Sequence, residues 1–150
     1  MSQGVHHIPT GLPAVISQLV VQDGRALLDF ATRAFGAQVA HTMPGPDGKG
    51  IMHGMFTIGG VPIFISDAGG FAAPTSANLF VYVPDVDAAF QRAVEAGGKA
   101  LAPPADMFWG DRWGMVSDPF GNVWQIATHK EDVSAEEMQR RAAAMPPRAG

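Results

Sequence analysis

The sequence predicts an α+β fold made of two tandem βαβββ modules followed by a C-terminal helix, and three observations predict it. The stretch around the first helix returns without gaps at an offset of 62 positions, matching Val21 to Val83, Asp23 to Asp85, Ala26 to Ala88, Ala31 to Ala93, Ala34 to Ala96 and Gly36 to Gly98. Self-similarity of this kind marks a duplicated supersecondary unit. Each copy is followed by short strand-like segments separated by turn residues. With 150 residues, 47% of them hydrophobic and only 16% charged, the chain has the length for one domain-sized core and lacks the charge-rich signature of disorder.

The elements follow in order. Ala14 to Val21 is an apolar strand, and Asp23 stands where a helix N-cap belongs, before a helix from Arg25 to Phe35 with Leu27, Leu28, Ala31, Ala34 and Phe35 on one face. Gly36 stops it. Strands are predicted at Gln38 to Met43, Ile51 to Ile58 and Val61 to Asp67, divided by the Gly45-Pro-Asp-Gly48 turn and the Gly59-Gly60 hairpin. The second copy has a strand from Asn78 to Val83, a cap at Asp85 and a helix from Val86 to Ala96 with Ala89, Phe90, Ala93 and Val94 inward. A glycine stop follows at Gly97-Gly98. Next come Lys99 to Leu101, a long loop with Pro and Trp, Trp113 to Ser117, the Asp118-Pro-Phe-Gly121 turn, and Asn122 to Thr128. Module one thus spans 13–67, a Gly/Ala/Pro/Ser/Thr linker 68–77, and module two 78–129. Ser134-Ala-Glu-Glu137 is a capping box opening a third helix, 134–145, that Pro146-Pro147 ends. Its face is rich in Ala and Arg, which suits a surface helix or one packed on a partner subunit.

Composition closes several function classes. Ten Lys plus Arg against fourteen Asp plus Glu give a net charge of -4, with no basic cluster denser than Arg140-Arg141, so nucleic acid is not an expected partner. The absence of cysteine excludes a disulfide scaffold, a thiolate zinc site and a cysteine nucleophile. No segment approaches the roughly 20 apolar residues of a membrane span, and the first residues carry no apolar run of signal-peptide length, which predicts a cytoplasmic protein without a membrane partner.

The tandem βαβββ pair with an Asp-Pro-Phe-Gly turn before the last strand, running from Pro13 to His129, resembles the vicinal oxygen chelate superfamily of glyoxalase I, extradiol dioxygenases and the bleomycin and fosfomycin resistance proteins. Within it, Phe108-Trp-Gly-Asp-Arg-Trp-Gly-Met-Val-Ser-Asp-Pro-Phe-Gly-Asn-Val-Trp-Gln-Ile-Ala-Thr-His129, followed by Glu131-Asp-Val-Ser-Ala-Glu-Glu-Met138, looks like the PhnB-like, glyoxalase-related subgroup. The resemblance implies sheets that curve around a cup, with the metal of catalytic members held by one residue from the first strand and one from the last strand of each module. Carried over residue by residue, the first-strand positions, normally His, fall on Ile16 and Asn78. The last-strand positions, usually Glu, fall on Phe64 and Gln125. Ile and Phe offer no donor and neutral amides are weak ones, so the inherited metal site is expected to be lost.

His53, in Ile51-Met-His-Gly-Met, suits a base or hydrogen-bond donor lining the cup, or a strand histidine satisfied by a neighbour. His6-His7 and His129 show no convergent spacing and are expected to be solvated; two adjacent histidines on an extended chain point apart. Phe108, Trp109 and Trp113 crowd one loop and strand start, where rings without function would expose apolar area. Phe64, Phe80 and Tyr82 lie on strand faces that the resemblance turns into the cup, with the neutral amides of Gln18, Asn78 and Gln125 among them. That mixture is what small-molecule pockets are made of. Trp124 alternates with Gln125 and is expected on the helix side. Asp111-Arg112 and Asp118 look like loop braces, with an anion clamp at Arg112 as the alternative. No phosphate loop, serine elbow or paired-carboxylate site is present.

Two readings follow. The first is a metal-free, cofactor-free binding protein that holds a planar aromatic or apolar molecule in the cup, with Ile16, Gln18, His53, Phe64, Asn78, Phe80, Tyr82, Trp109, Trp113 and Gln125 as its walls and no catalytic residue. The second is a lyase, isomerase or dioxygenase that has moved its metal, for instance around His53, or works without one. Open sheet edges and apolar faces predict a homodimer.

Overall fold

The computed structural model describes residues 4–70 and 72–147; position 71, inside the expected linker, and the three residues at each end lie outside the described residues. The chain divides into two compact units between Ala77 and Asn78.

The first unit contains β1 (Gln18–Val21), α1 (Gly24–Phe35), β2 (Gln38–Met43), β3 (His53–Ile58) and β4 (Val61–Asp67), in a four-stranded sheet of order β1-β4-β3-β2. Asp23 caps α1 by accepting the Ala26 N–H, and Gly36 closes it at φ 66, a left-handed conformation that glycine adopts without a steric cost. β1 runs parallel to β4 with Gln18 opposite Phe64; β3 and β2 are antiparallel, with a bulge between Val39 and His41. The first strand begins at Gln18 rather than Ala14, and Pro62 is the reason. Phe64 N–H donates to the Ser17 carbonyl at 2.9 Å, and the next donor facing β1 would belong to Pro62, which has none. Leu27, Phe30, Ala31 and Ala34 of α1 bury against Leu19, Val21, Phe56 and Ile65 of the sheet. The larger of these side chains each contribute on the order of 1.5–3 kcal/mol by leaving water. Asp67 ties the unit together by accepting the Gly24 N–H at 2.7 Å and the Ile51 N–H at 2.9 Å. A Cβ at Gly50 would collide with that carboxylate.

The second unit repeats the plan with β5 (Asn78–Tyr82), α2 (Val86–Glu95), β6 (Lys99–Asp106), β7 (Asp111–Ser117) and β8 (Val123–His129), in the order β5-β8-β7-β6. Trp124, Val116 and Ile126 pack under Val86, Ala89 and Ala93, whereas Phe90 is half-buried and Val94 is exposed, so the inward face of α2 is narrower than the apolar pattern predicts. The long loop expected after Leu101 does not exist. β6 continues through Pro103-Pro104 to Asp106, with shifts of register on both sides of Ala102. An edge strand tolerates prolines because its outward N–H groups have no strand to pair with. What remains of the loop is the turn Met107–Gly110, so Trp109 sits on that turn and Trp113 lies inside β7, which begins at Asp111, rather than at the strand's start. The helix α3 (Ala135–Ala143) is capped by Ser134, which accepts the Glu137 N–H, and none of its residues is buried. Arg141 holds it, through Glu131 at 2.8 Å and the Phe108 carbonyl at 3.4 Å. No helix among the described residues is long and apolar enough to cross a membrane.

Candidate functional site

In a strand successive side chains alternate between faces, so each sheet turns one face to its helix and leaves the other open. On the second unit the open face carries Asn78, Phe80 and Tyr82 of β5, Gln125 and Ala127 of β8, and Trp113 and Met115 of β7, aligned by the pairs Phe80 with Gln125, Tyr82 with Ala127, Gln125 with Met115 and Ala127 with Trp113. Phe80 is 45% and Tyr82 62% exposed, with ring centroids 5.2 Å apart. Trp109 meets Trp113 edge-on at 6.2 Å and Phe108 at 5.2 Å. Two polar chains fix these rings. Gln125 Oε1 accepts from Trp113 Nε1 at 3.1 Å, and its Nε2 donates to Asn78 Oδ1 at 2.9 Å. At the far end of the sheet Asp111, 2% exposed, accepts from Tyr82 Oη at 2.8 Å, Trp109 Nε1 at 2.9 Å and the His129 ring at 2.8 Å. The other nitrogen of His129 meets Asp132 at 2.8 Å.

The electrostatics follow from these bonds. Burial pushes the Asp111 carboxyl up, but the donors His129, Tyr82 and Trp109 together outweigh it and leave its pKa below the ordinary value. Its hydrogen bond raises the Tyr82 pKa, because a phenolate beside a carboxylate is disfavoured. Asp132, and then Asp111, raise that of His129 by stabilising the imidazolium. Asp111 and His129 were missed by sequence reasoning, which took the first for a loop brace and the second for a solvated side chain. The signal was the alternation from Trp113 back to Asp111, which puts both on one face, but the end of the loop hid the start of that strand. Arg112, on the opposite face, grips Asp87 with two bonds of 2.7 and 2.9 Å and Asp106 at 3.3 Å. A guanidinium so occupied with carboxylates is no anion clamp. Asp118 is a brace as expected, accepting the N–H groups of Phe120 and Asn122, the Asn122 side chain and Trp124 Nε1.

The open face of the first unit is built from Gln18, Phe64, Ser66, His53, Met55 and His41. Gln18 donates to Ser66 at 3.2 Å, and His53 stands edge-on to Phe64 at 4.9 Å. Beside Gln18 and Ser66 opens a pocket of about 470 Å³ that also touches Ile51, Met52 and Asp67, within the range of small-molecule sites. Ile16 precedes β1, outside the paired residues of the sheet, and is half-buried. His6 and His7 do not point apart. Their rings stack at 4.8 Å because the chain bends at 7–8, where the His6 ring accepts the Ile8 N–H.

The four positions that the resemblance would give to metal ligands do not fit that role. Ile16 and Phe64 have no donor, and the amides of Asn78 and Gln125 are spent on each other and on Trp113. Among the described residues no three His, Asp or Glu side chains are grouped to hold an ion.

Comparisons with known proteins place these units. Residues 5–126 match the family described as Glyoxalase/Bleomycin resistance protein/Dioxygenase superfamily. An uncharacterized protein of Mycobacterium bovis is 37% identical over 138 residues, 85% of this chain and 90% of the relative. Among solved structures, TioX from Micromonospora is 25% identical with a TM-score of 0.65, covering 78% of this chain and 98% of that one. A glyoxalase/bleomycin resistance protein from Streptomyces is 26% identical with a TM-score of 0.56, covering 74% and 96%. PhnB protein from Bacillus cereus, at 16% identity, shares the fold with a TM-score of 0.60 over 77% and 99%. With a family match across most of its length and a relative at 37% identity, the chain belongs to the glyoxalase/bleomycin resistance protein/dioxygenase superfamily.

Proposed function

We propose that this chain is a small-molecule binding protein of its superfamily with no metal at the inherited positions, holding a planar aromatic or apolar ligand against the open face of the second unit. The observation that carries this reading is the pair of exposed rings, Phe80 and Tyr82, beside Trp113 and Trp109, with the Tyr82 hydroxyl and both indole N–H groups bonded within the face. Exposed rings on a sheet interior cost solvation unless something covers them. A flat ligand does so, and each offset-stacked pair adds roughly 0.5–1.5 kcal/mol to the area term. Two such contacts plus burial support micromolar affinity, about -8 kcal/mol. Gln18, His53 and Phe64 on the first unit would serve the same ligand class. The enzymatic alternative, a lyase, isomerase or dioxygenase, has less support: both nitrogens of His129 are engaged by carboxylates, and Asp111, with its pKa lowered, is a weak base at neutral pH.

The test is tryptophan fluorescence during titration with planar aromatic compounds. Saturable quenching is expected, and Trp109→Ala or Trp113→Ala should weaken the best binder by about 1 kcal/mol or more. If both variants bind as tightly as the parent, or if the same compounds are turned over, the reading fails.

A further inference from the structure

The open side of the β2–β3 ladder holds two imidazoles and two thioethers in one block. His41 lies opposite Met55, and Met43 opposite His53. Residues directly opposite in an antiparallel pair project from the same side of the sheet with Cβ atoms about 4.5–5.5 Å apart. That side is away from α1, because Gly54, between His53 and Met55, turns its Cα hydrogen toward Ile65 and Ile51. The His41 and His53 ring centroids are 5.7 Å apart, with planes inclined at 45°. Two imidazoles bound to one ion through metal–nitrogen bonds of about 2.0–2.1 Å place their centroids about 5–6 Å apart, so the observed spacing needs little adjustment. Among the described residues neither imidazole has a hydrogen-bonding partner, which leaves their lone pairs available. Every residue of β2 is exposed, so an ion reaches the block from solvent.

We infer that His41, Met43, His53 and Met55 form a binding site for a soft cation, Cu(I). The donor set decides the ion. Thioethers are neutral and soft and select Cu(I), imidazole suits copper equally, and the block contains no carboxylate to favour a harder divalent ion. Four neutral ligands leave the charge of the bound ion uncompensated, and a single positive charge is easier to hold that way than a double one. Phe64, edge-on to His53 at 4.9 Å, fixes one ligand's ring on the inner side of the block. The four proposed ligands are none of the inherited metal positions and none of the aromatic face of the second unit. Because His53 is also among the first unit's candidate ligand-lining residues, bound Cu(I) would assign that side chain to the ion, while the tryptophan titration tests the second unit's face separately.

The test is an anaerobic titration of Cu(I) into the full chain against bathocuproine disulfonate as competing chelator, with Zn(II) run in parallel. One Cu(I) per chain is expected to leave the competitor, with affinity reduced at least tenfold in His41→Ala, in His53→Ala and in the doubly substituted Met43→Leu/Met55→Leu, which keeps size and apolarity. X-ray absorption of the loaded protein should show both sulfur and nitrogen neighbours. The inference is overturned if no Cu(I) is withdrawn or if the folded variants, checked by circular dichroism, bind like the parent. It also fails if sulfur neighbours are missing or if Zn(II) binds more tightly than Cu(I).

Discussion

Asp118 shows how much one side chain can carry. It is buried, and its two oxygens accept from two backbone N–H groups, the Asn122 amide and Trp124 Nε1, the last at 2.9 Å. Hydrogen bonds to a charged acceptor contribute about 1.5–3 kcal/mol each before their losses overlap. Asp118→Ala is therefore expected to lower unfolding free energy by about 2–4 kcal/mol, read as a shift of the urea midpoint at constant slope; an unchanged midpoint would mean that the turn holds without it. The second residue-scale device is the Asp111–His129–Asp132 bridge. The folded pKa of His129 is raised above 6.5, so its share of stability is fully present below the ordinary imidazole value and is lost as pH rises through the higher folded one. Asp111 has a lowered folded pKa, so its share is present above 3.8 and is lost as pH falls through the folded value. An NMR titration of the His129 ring should give a midpoint above 6.5, moved down by Asp132→Asn and by Asp111→Asn; a midpoint that ignores both substitutions would remove the bridge.

At the scale of elements, the turn between β6 and β7 positions the aromatic face. Gly110 adopts φ 103, and a Cβ there would collide with the Glu131 carbonyl while Gly110 itself accepts from the N–H groups of Lys130 and Glu131. A side chain would suffer both the backbone strain and the collision, about 2 kcal/mol or more together. Gly110→Ala should lower the melting midpoint and displace Trp109 from Asp111, seen as a red-shifted emission as the ring meets water. An unchanged spectrum and midpoint would show that the turn adapts. The same turn explains why the sequence misplaced the rings. Pro103-Pro104 read locally as a loop, and only the position of β6 at the sheet edge makes those prolines compatible with a strand.

On the scale of the whole molecule, each sheet ends in an edge strand with one side that no other strand of the sheet pairs, and Val39 on β2 and Leu101 on β6 are exposed there. Exposed apolar side chains on open sheets favour pairing with a second copy. Light scattering on an eluting peak is expected to give about twice the 15.8 kDa of one chain; a monomer across micromolar concentrations would rule the dimer out.

What the sequence determined by itself was the duplicated plan and its punctuation. Asp23, Asp85 and Ser134 cap their helices and Gly36 ends the first, because capping is a bond between near neighbours in the chain. Trp124 could be placed in the core from alternation alone. The tertiary structure decided what depends on the register of distant segments: the start of β1 set by Pro62, the meeting of Asp111 with Tyr82 and His129, and the block of His41, Met43, His53 and Met55. A one-residue slip in pairing turns every side chain of a strand to the other face, and no local pattern records which register the packed sheet adopts.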